Sequence, residues 1–170
     1  MTSYNKKICL IGDFGVGKTS LVNRYVNNDF SEAYQTTVGV SICTRNIKIA
    51  TDVLIKFVIW DIAGADRLTT VSRSYLSGAN GCILVADGTR TKTIENALEL
   101  KVAVDVQLNN PEMICLLNKH DLSTDWEVDN EYFSYLDSLD SWQMTSARTG
   151  EGVEDAFTLL AKKFLDHAKE

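Results

Sequence analysis

A glycine-rich segment near the amino terminus constrains this chain more than any other feature of the sequence. The segment Gly12–Thr19 reads Gly-Asp-Phe-Gly-Val-Gly-Lys-Thr and fits the pattern Gly-x-x-x-x-Gly-Lys-Ser/Thr. It follows a short apolar run at residues 7–11, typical of a buried strand, and it opens residues 18–28, which have helical spacing. A strand, this loop and a helix in that order are the context that a phosphate-binding loop requires.

The residue types in this segment match the chemistry of phosphate binding. Glycines let the backbone wrap around a phosphate with its N–H groups pointing inward, and the helix that follows adds partial positive charge. We expect Lys18 to reach the β- and γ-phosphates and the Thr19 hydroxyl to ligate Mg²⁺. The motif predicts a nucleoside triphosphate but identifies neither the base nor a hydrolysis step. A glycine-rich turn that matches by chance is the alternative, and the flanking elements disfavour it.

The rest of the chain alternates between strand and helix patterns. Apolar and β-branched runs predict five further strands, at residues 38–49, 53–60, 81–86, 113–117 and 142–145. Helical spacing predicts four further helices. One ends near residue 78, and the others lie at residues 93–108, 130–139 and 153–165. The first two of the further strands suggest an antiparallel hairpin. The pattern therefore predicts an α/β fold with a mostly parallel six-stranded sheet, one antiparallel strand and helices on both faces.

Length and composition limit the number of domains and the classes of function. A chain of 170 residues has the size of one domain, and we expect a single domain over residues 1–170. The net charge is −6, which disfavours nucleic acid and anionic membranes as partners. No apolar run approaches the length that spans a bilayer. The four cysteines lie in separate apolar runs, so we expect reduced, packed thiols in a cytoplasmic protein rather than a metal site or disulfides.

A second motif, Asn118-Lys119-His120-Asp121, follows the predicted strand at residues 113–117. A carboxylate such as that of Asp121 suits guanine, because the ring N1–H and the exocyclic amine are adjacent donors that two oxygens accept. Adenine offers no matching pair of donors, so the wrong base leaves buried groups unpaired. Taken alone, the motif also fits an ordinary polar loop. Downstream of a phosphate-binding loop, it predicts a guanine nucleotide.

With both motifs present, the sequence resembles the Ras-like small GTPases, which are P-loop NTPases, and within them the Rab branch. The resemblance extends from Lys7 to the last predicted helix. It is carried by five elements in the family's order: the phosphate loop, Thr36-Thr37-Val38-Gly39, Trp60-Asp61-Ile62-Ala63-Gly64, Asn118-Lys119-His120-Asp121 and Thr145-Ser146-Ala147. In addition, the segment Tyr75-Leu76-Ser77-Gly78-Ala79 is similar to the Rab signature Tyr-Tyr-Arg-Gly-Ala.

The resemblance implies roles for the residues at the phosphate end of a GTP or GDP molecule. Thr37 would ligate Mg²⁺ through its side chain and hold the γ-phosphate through its backbone. Asp61 would hold Mg²⁺ through a water, and the Gly64 N–H would contact the γ-phosphate. The implied metal ligands are thus Thr19, Thr37 and Asp61, and the implied catalytic groups are Lys18, Thr37 and Gly64.

The resemblance also implies a guanine pocket at the other end. Phe30 would pack against the base and Lys119 along the base and sugar. Ser146 and Ala147 would complete the pocket, with the Ala147 N–H facing the guanine carbonyl oxygen. The full set of implied nucleotide-binding residues is Gly15, Val16, Gly17, Lys18, Thr19, Ser20, Phe30, Thr37, Gly64, Asn118, Lys119, Asp121, Ser146 and Ala147.

Residues 14 and 65 depart from the family pattern in ways that affect hydrolysis. Ala65 occupies the position of the Gln that orients the attacking water, and a methyl group cannot hold a water in line. The next residue, Asp66, falls where the family has Glu, and we see no reason for it to replace the Gln. Phe14 stands where most relatives have Gly or Ser. Its ring either crowds the γ-phosphate or turns outward onto a neighbouring loop.

Two hypotheses about turnover stay open at this point. One is a molecular switch that hydrolyses GTP slowly, and the other is a GTP-binding module with negligible hydrolysis that stays mainly in one nucleotide state. Asp121 disfavours a third reading, an ATPase. For either hypothesis we expect a monomer whose partners are GTP or GDP and the effectors and regulators of such switches.

The resemblance places the partner surface near Thr37–Ile42, Trp60 and Tyr75, with Trp60 either a partner anchor or a residue that packs on the sheet. Family members normally carry prenylated cysteines in a flexible tail. No cysteine follows Cys115, so this chain offers no prenylation site. We expect either a tail that has been removed or a relative without a lipid anchor.

Overall fold

The computed structural model describes residues 2–33, 36–65 and 68–166, apart from the side chain of Val71. Within these ranges the strands are β1 (Thr2–Gly12), β2 (Val40–Ala50), β3 (Val53–Ile62), β4 (Gly81–Asp87), β5 (Glu112–Asn118) and β6 (Trp142–Met144). The α-helices are α1 (Lys18–Asn27), α2 (Thr70–Leu76), α3 (Thr91–Leu108), α4 (Asn130–Asp137) and α5 (Val153–Asp166). A short 3-10 helix, His120–Asp125, follows β5.

The strands form one sheet in the order β2-β3-β1-β4-β5-β6. β2 and β3 pair antiparallel, while β1 pairs parallel with β3 and β4, and β5 pairs parallel with β4 and β6. This topology confirms the predicted α/β fold with one antiparallel strand. Because the parallel strands point the same way, β1, β3, β4 and β5 all end at one edge, which is where such sheets bind ligands.

Strand β1 begins earlier than the apolar pattern predicts, at Thr2 rather than Lys7. Residues 2–5 are exposed, so they carry no hydrophobic signal. They belong to the strand because Thr2 to Leu10 pair in continuous register with Val53 to Asp61 of β3. Hydrogen bonding to the long β3 strand, rather than burial, extends β1.

Two apolar clusters lie on opposite faces of the sheet, because successive side chains of a strand point to opposite sides. Ile8 and Leu10 of β1 belong to the cluster with α1 and α5, which includes Phe157. Cys9 and Ile11 belong to the cluster with α2, α3 and α4. The helices therefore cover both faces, as predicted.

The four cysteines of the chain are free thiols. Three of them, Cys9, Cys82 and Cys115, are buried on the α3 side of the sheet. Burial raises the pKa of Cys9 to about 12, against the nearby Lys7, and it raises the pKa of Cys115 to about 12 as well. In this setting the thiols pack as small apolar side chains.

None of the helices in the described residues combines the length and the apolar character needed to cross a membrane.

Candidate functional site

A cavity of about 530 Å³ opens at the carboxyl edge of the sheet, and segments distant in sequence line it. Most of the predicted nucleotide-binding residues line this cavity: Gly15, Gly17, Lys18, Thr19, Ser20, Phe30, Thr37, Gly64, Asn118, Lys119, Asp121 and Ala147. The other predicted residues, Val16, Asp61 and Ser146, do not line it and are buried. The fold thus brings the predicted phosphate and base residues together around one space.

The phosphate loop joins β1 to α1 in a conformation that depends on glycine. Gly17 has a φ of +100°, and a Cβ at this position would collide with the side-chain amide of Asn118. Helix α1 begins at the next residue, and no side chain caps its start. The first backbone N–H groups of a helix have no partner within the helix, so this end of α1 is suited to binding an anion.

Lys18 is bent back over the phosphate loop. Its ammonium donates to the carbonyl oxygens of Gly12 at 3.0 Å and Asp13 at 2.8 Å, and the residue is 6% exposed. Burial lowers the pKa of Lys18 to about 8, against the carboxylates of Asp61 and Asp13, which raise it. A phosphate in the cavity would add negative charge beside this ammonium and favour its charged form.

Three oxygen-bearing side chains meet beside Lys18. The Thr19 hydroxyl donates to Asp61 Oδ2 at 2.6 Å and lies 2.5 Å from the Thr37 hydroxyl, which lies 3.4 Å from the same carboxylate oxygen. Asp61 Oδ1 is buried and has no hydrogen-bond partner among the described residues. Burial raises the pKa of Asp61, while Thr19, Lys18 and Thr37 lower it. The two hydroxyls and the carboxylate, with its one unpartnered buried oxygen, fit a Mg²⁺ site because Mg²⁺ prefers oxygen ligands.

The segment Ala63–Ala65 lies directly against the phosphate loop. The Ala63 N–H donates to the Gly39 carbonyl at 2.9 Å, and the Ala65 N–H donates to the Gly12 carbonyl at 3.1 Å. A Cβ added to Gly64 would lie 2.5 Å from Phe14 Cα, so this close approach requires glycine. Asp66 lies outside the described residues.

Phe14 lies at the mouth of the cavity. The residue is 52% exposed and is one of those that line the cavity. Its backbone is fixed on both sides: the N–H donates to Asp13 Oδ1 at 2.6 Å, and the carbonyl accepts from Arg90 Nη2 at 2.8 Å. Phe14 therefore borders the cavity while about half of the residue faces solvent.

At the base end, Asn118 connects three segments. Its amide Nδ2 donates to the Val16 carbonyl at 2.9 Å, and its Oδ1 accepts from the Thr145 hydroxyl and the Ala147 N–H, both at 3.2 Å. The Ala147 N–H that the resemblance directs toward guanine thus already has a protein partner, which a base would share or replace.

The Ser146 hydroxyl donates to Asp121 Oδ1 at 2.7 Å and orients that carboxylate. Phe30 packs against the edge of the core cluster and lines the cavity. Asp121 itself is exposed, so its carboxylate is accessible to a base.

Sequence reasoning missed two groups that hold the cavity wall. Arg24 of α1 donates to the carbonyls of Ala147 at 2.9 Å and Arg148 at 2.5 Å. Asp87, at the end of β4, lies 2.6 Å from Lys119 Nζ. Arg24 carries no signal beyond that of a helix-surface arginine. Asp87 carries a weak sequence signal, since it is a polar residue at the end of a strand, at the edge of the sheet where the site forms.

The residues of the expected partner surface are brought together on one side of the sheet. Ile42 and Trp60 are register partners in β2 and β3, and the rings of Trp60 and Tyr75 lie 6.3 Å apart. Ile42 is 52% exposed. Trp60 is half-buried against the core, with the Lys7 ammonium 3.7 Å from its ring centroid. Trp60 thus packs on the sheet and also borders the surface.

Comparison with known proteins agrees with this geometry. Residues 7–166 match the model of the Ras family. Ras-related protein Rab-7L1 of Rattus norvegicus is 33% identical over 96% of this chain and 84% of its own length. Ras-related protein Rab-1 of Theileria parva is 34% identical over 96% of this chain and 76% of its own length. Ras-related protein Rab-32 of Homo sapiens is 32% identical over 94% of this chain and 74% of its own length. The chain therefore belongs to the Ras family and is a Rab-like small GTPase.

Proposed function

We propose that this chain binds GTP and GDP with Mg²⁺, hydrolyses GTP slowly, and signals its nucleotide state through the segments around Thr37 and Gly64. The GTP-binding domain of this proposal spans residues 1–170. The observation that carries the proposal is the cavity of about 530 Å³ that the phosphate loop lines together with Asn118, Lys119 and Asp121. A phosphate-binding loop alone would fit any nucleoside triphosphate, and the second group of residues selects the base.

Each end of the cavity has a distinct task in the proposed binding. Lys18 and the N–H groups at the start of α1 bind the phosphates, where charge and backbone dipoles act together. Asp121, oriented by Ser146, accepts the two adjacent donors of guanine. Because adenine lacks that pair of donors, it would leave the carboxylate unpaired and bind more weakly.

The Mg²⁺ ion would be held by the hydroxyls of Thr19 and Thr37 and, directly or through water, by Asp61. When bound, it would neutralise charge on the β- and γ-phosphates. No cluster of three or more His, Cys, Asp or Glu side chains that could hold a metal occurs among the described residues. The protein thus supplies few ligands, and the phosphates complete the shell, as is usual for Mg²⁺ at nucleotide sites.

Slow hydrolysis follows from the residue at position 65. Ala65 offers a backbone N–H, which is bonded to the Gly12 carbonyl, and a methyl group that cannot position a water. Ras proteins that keep a Gln for this purpose turn over unaided at roughly 10⁻⁴ s⁻¹. We therefore propose a rate no faster than about 10⁻⁴ s⁻¹ for this chain without a partner.

The alternative, a GTP-binding module that stays mainly in one nucleotide state, has one specific observation in its favour. The segment Ala63–Ala65 lies against the phosphate loop and Thr37 lies against Thr19, so both nucleotide-sensing segments are closed onto the site. Identification of the nucleotide that co-purifies with the protein separates the candidates. GTP favours the module and GDP favours the slow GTPase, whereas an adenine nucleotide would contradict both.

A further inference from the structure

A buried carboxylate is linked through two cations to residues that line the cavity, Lys119 and Phe14. Asp87 is the last residue of β4 and is 0% exposed. Its Oδ1 accepts from the Thr89 backbone N–H at 2.9 Å and from the Thr89 hydroxyl at 2.7 Å. Its Oδ2 lies 2.6 Å from Lys119 Nζ and 3.1 Å from Arg90 Nε. Burying a charge is costly, and these cations and donors are what offset that cost.

The first of the two cations belongs to the base end of the cavity. Lys119 follows Asn118, which is the register partner of Asp87 across β4 and β5. Its backbone has a φ of +69°, and its carbonyl accepts from the Trp126 indole N–H at 3.0 Å. Trp126 therefore holds the backbone of Lys119, and Asp87 holds its ammonium group. Lys119 is one of the residues that line the cavity.

The second cation leads to the phosphate end. Arg90 is the residue that precedes α3, and its Nη2 donates to the Phe14 carbonyl at 2.8 Å while its Nε donates to Asp87. A guanidinium has separate donors in a rigid plane, so it holds both acceptors at once. Phe14 is the phosphate-loop residue whose backbone lies against Gly64. Arg90 thus ties Asp87 to the part of the loop that faces the γ-phosphate position.

We propose that Asp87 is a positioning residue for the nucleotide, acting through Lys119 at the base and through Arg90 at the phosphate loop. This role rests on the guanine-nucleotide binding proposed above. Burial raises the pKa of Asp87, but hydrogen bonds from Lys119 and Thr89 outweigh this effect and hold its pKa below the ordinary value. The carboxylate is therefore charged at neutral pH. Because one carboxylate serves both ends, its loss loosens both and speeds nucleotide release.

The test is the release rate of a fluorescent GDP analogue from the full chain, chased with excess unlabelled GDP. Asp87→Asn keeps the shape of the side chain and removes its charge, and we expect release about tenfold faster, within the range of coupling in one hydrogen-bond network. In a Lys119→Ala background the same change should add less than about threefold, because the path through Lys119 is already lost. The proposal would be overturned if the release rate of the double variant rose by the product of the two single-variant increases. It would also be overturned if Asp87→Asn left the release rate unchanged.

A second variant tests the phosphate arm without altering the buried carboxylate. The Arg90 side chain is 45% exposed, so Arg90→Gln is expected to fold even if Asp87→Asn does not. We expect release about threefold faster in Arg90→Gln. The matched control is Lys92→Gln, which removes an exposed cation of α3 that pairs with Glu95 at 2.8 Å and should leave the rate unchanged. Equal rates in the two variants contradict the role of Arg90 and, with it, the link through Asp87.

Titration of the wild-type chain with GDP separates this proposal from the function on which it rests. A wild-type chain that does not bind GDP contradicts the proposed function and the role of Asp87 together. If the wild-type chain binds GDP but the Asp87→Asn variant releases it at the same rate and has the same thermal stability, the role of Asp87 alone is contradicted.

Discussion

The Thr37 hydroxyl lies 2.5 Å from the Thr19 hydroxyl, at the point where both approach Asp61 Oδ2. Thr19 is fixed in the first turn of α1 and Asp61 is fixed near the end of β3, whereas Thr37 lies in irregular backbone before β2. Among the described residues, the side-chain hydrogen bonds of Thr37 are made at this one point. A ligand that adds contacts here stabilises this position of the segment around Thr37. Loss of the ligand removes that stabilisation.

Removing the Thr37 hydroxyl should weaken the proposed Mg²⁺ site. Thr37→Val keeps the size of the side chain but offers no oxygen, so we expect the free Mg²⁺ concentration needed to retain GTP to rise about tenfold, as for other lost metal-site contacts. The measurement is the release of a GTP analogue across a series of buffered Mg²⁺ concentrations. Thr37→Ser, which keeps the hydroxyl, is the matched control. Identical Mg²⁺ dependence in the two variants would show that Thr37 is not a ligand.

A side chain at position 64 should act on GTP more than on GDP. A Cβ there would lie 2.5 Å from Phe14 Cα, so Gly64→Ala disrupts the close approach to the phosphate loop that the proposed contact between the Gly64 N–H and the γ-phosphate requires. We expect the ratio of GTP to GDP affinity to fall about tenfold, the equivalent of one lost hydrogen bond. Gly78→Ala is the control, since its Cβ meets no atom within 4 Å and its φ of +72° costs only stability. An unchanged ratio in Gly64→Ala argues against this contact.

Restoring a glutamine should accelerate hydrolysis. Ala65→Gln supplies a side chain that can orient water, and we expect the single-turnover rate of GTP cleavage to rise at least about tenfold over the wild type. The comparison variant Ala65→Leu adds similar bulk without hydrogen-bonding groups and should give no increase. A wild-type rate above about 10⁻³ s⁻¹ would mean that another group positions the water.

Changing Asp121 should change the preferred base. In Asp121→Asn the side-chain amide would donate where the carboxylate accepted, and xanthine carries a carbonyl oxygen where guanine carries its exocyclic amine. We expect GDP affinity to fall by about 2 kcal/mol, roughly thirtyfold, and xanthosine diphosphate to bind better than GDP. Competition titration with both nucleotides measures this. Asp125→Asn, an exposed change in the same 3-10 helix, should keep the preference for guanine; a shared response would place the effect outside base recognition.

The sequence predicts the fold class and most of the cavity lining because both depend on local patterns. The phosphate loop and Asn118 stand where apolar runs end, and parallel strands bring such ends to one edge. Arg24 and Asp87 were missed because their roles depend on contacts with residues far away in the chain. Arg24 bonds to carbonyls beyond β6, and such contacts leave no periodic signal. The early start of β1 at Thr2 was missed for a similar reason, since pairing with β3 rather than burial sets it.

Selective binding of guanine nucleotides is tested by competition against a fluorescent GDP analogue on the nucleotide-free wild-type chain. Asp121 leads us to predict that GDP and GTP displace the analogue at concentrations at least about 100-fold below those needed for ADP and ATP. The affinity of the wild-type chain for GTP should also be highest when Mg²⁺ is present. Displacement by ATP at the same concentration as GTP would contradict the claim.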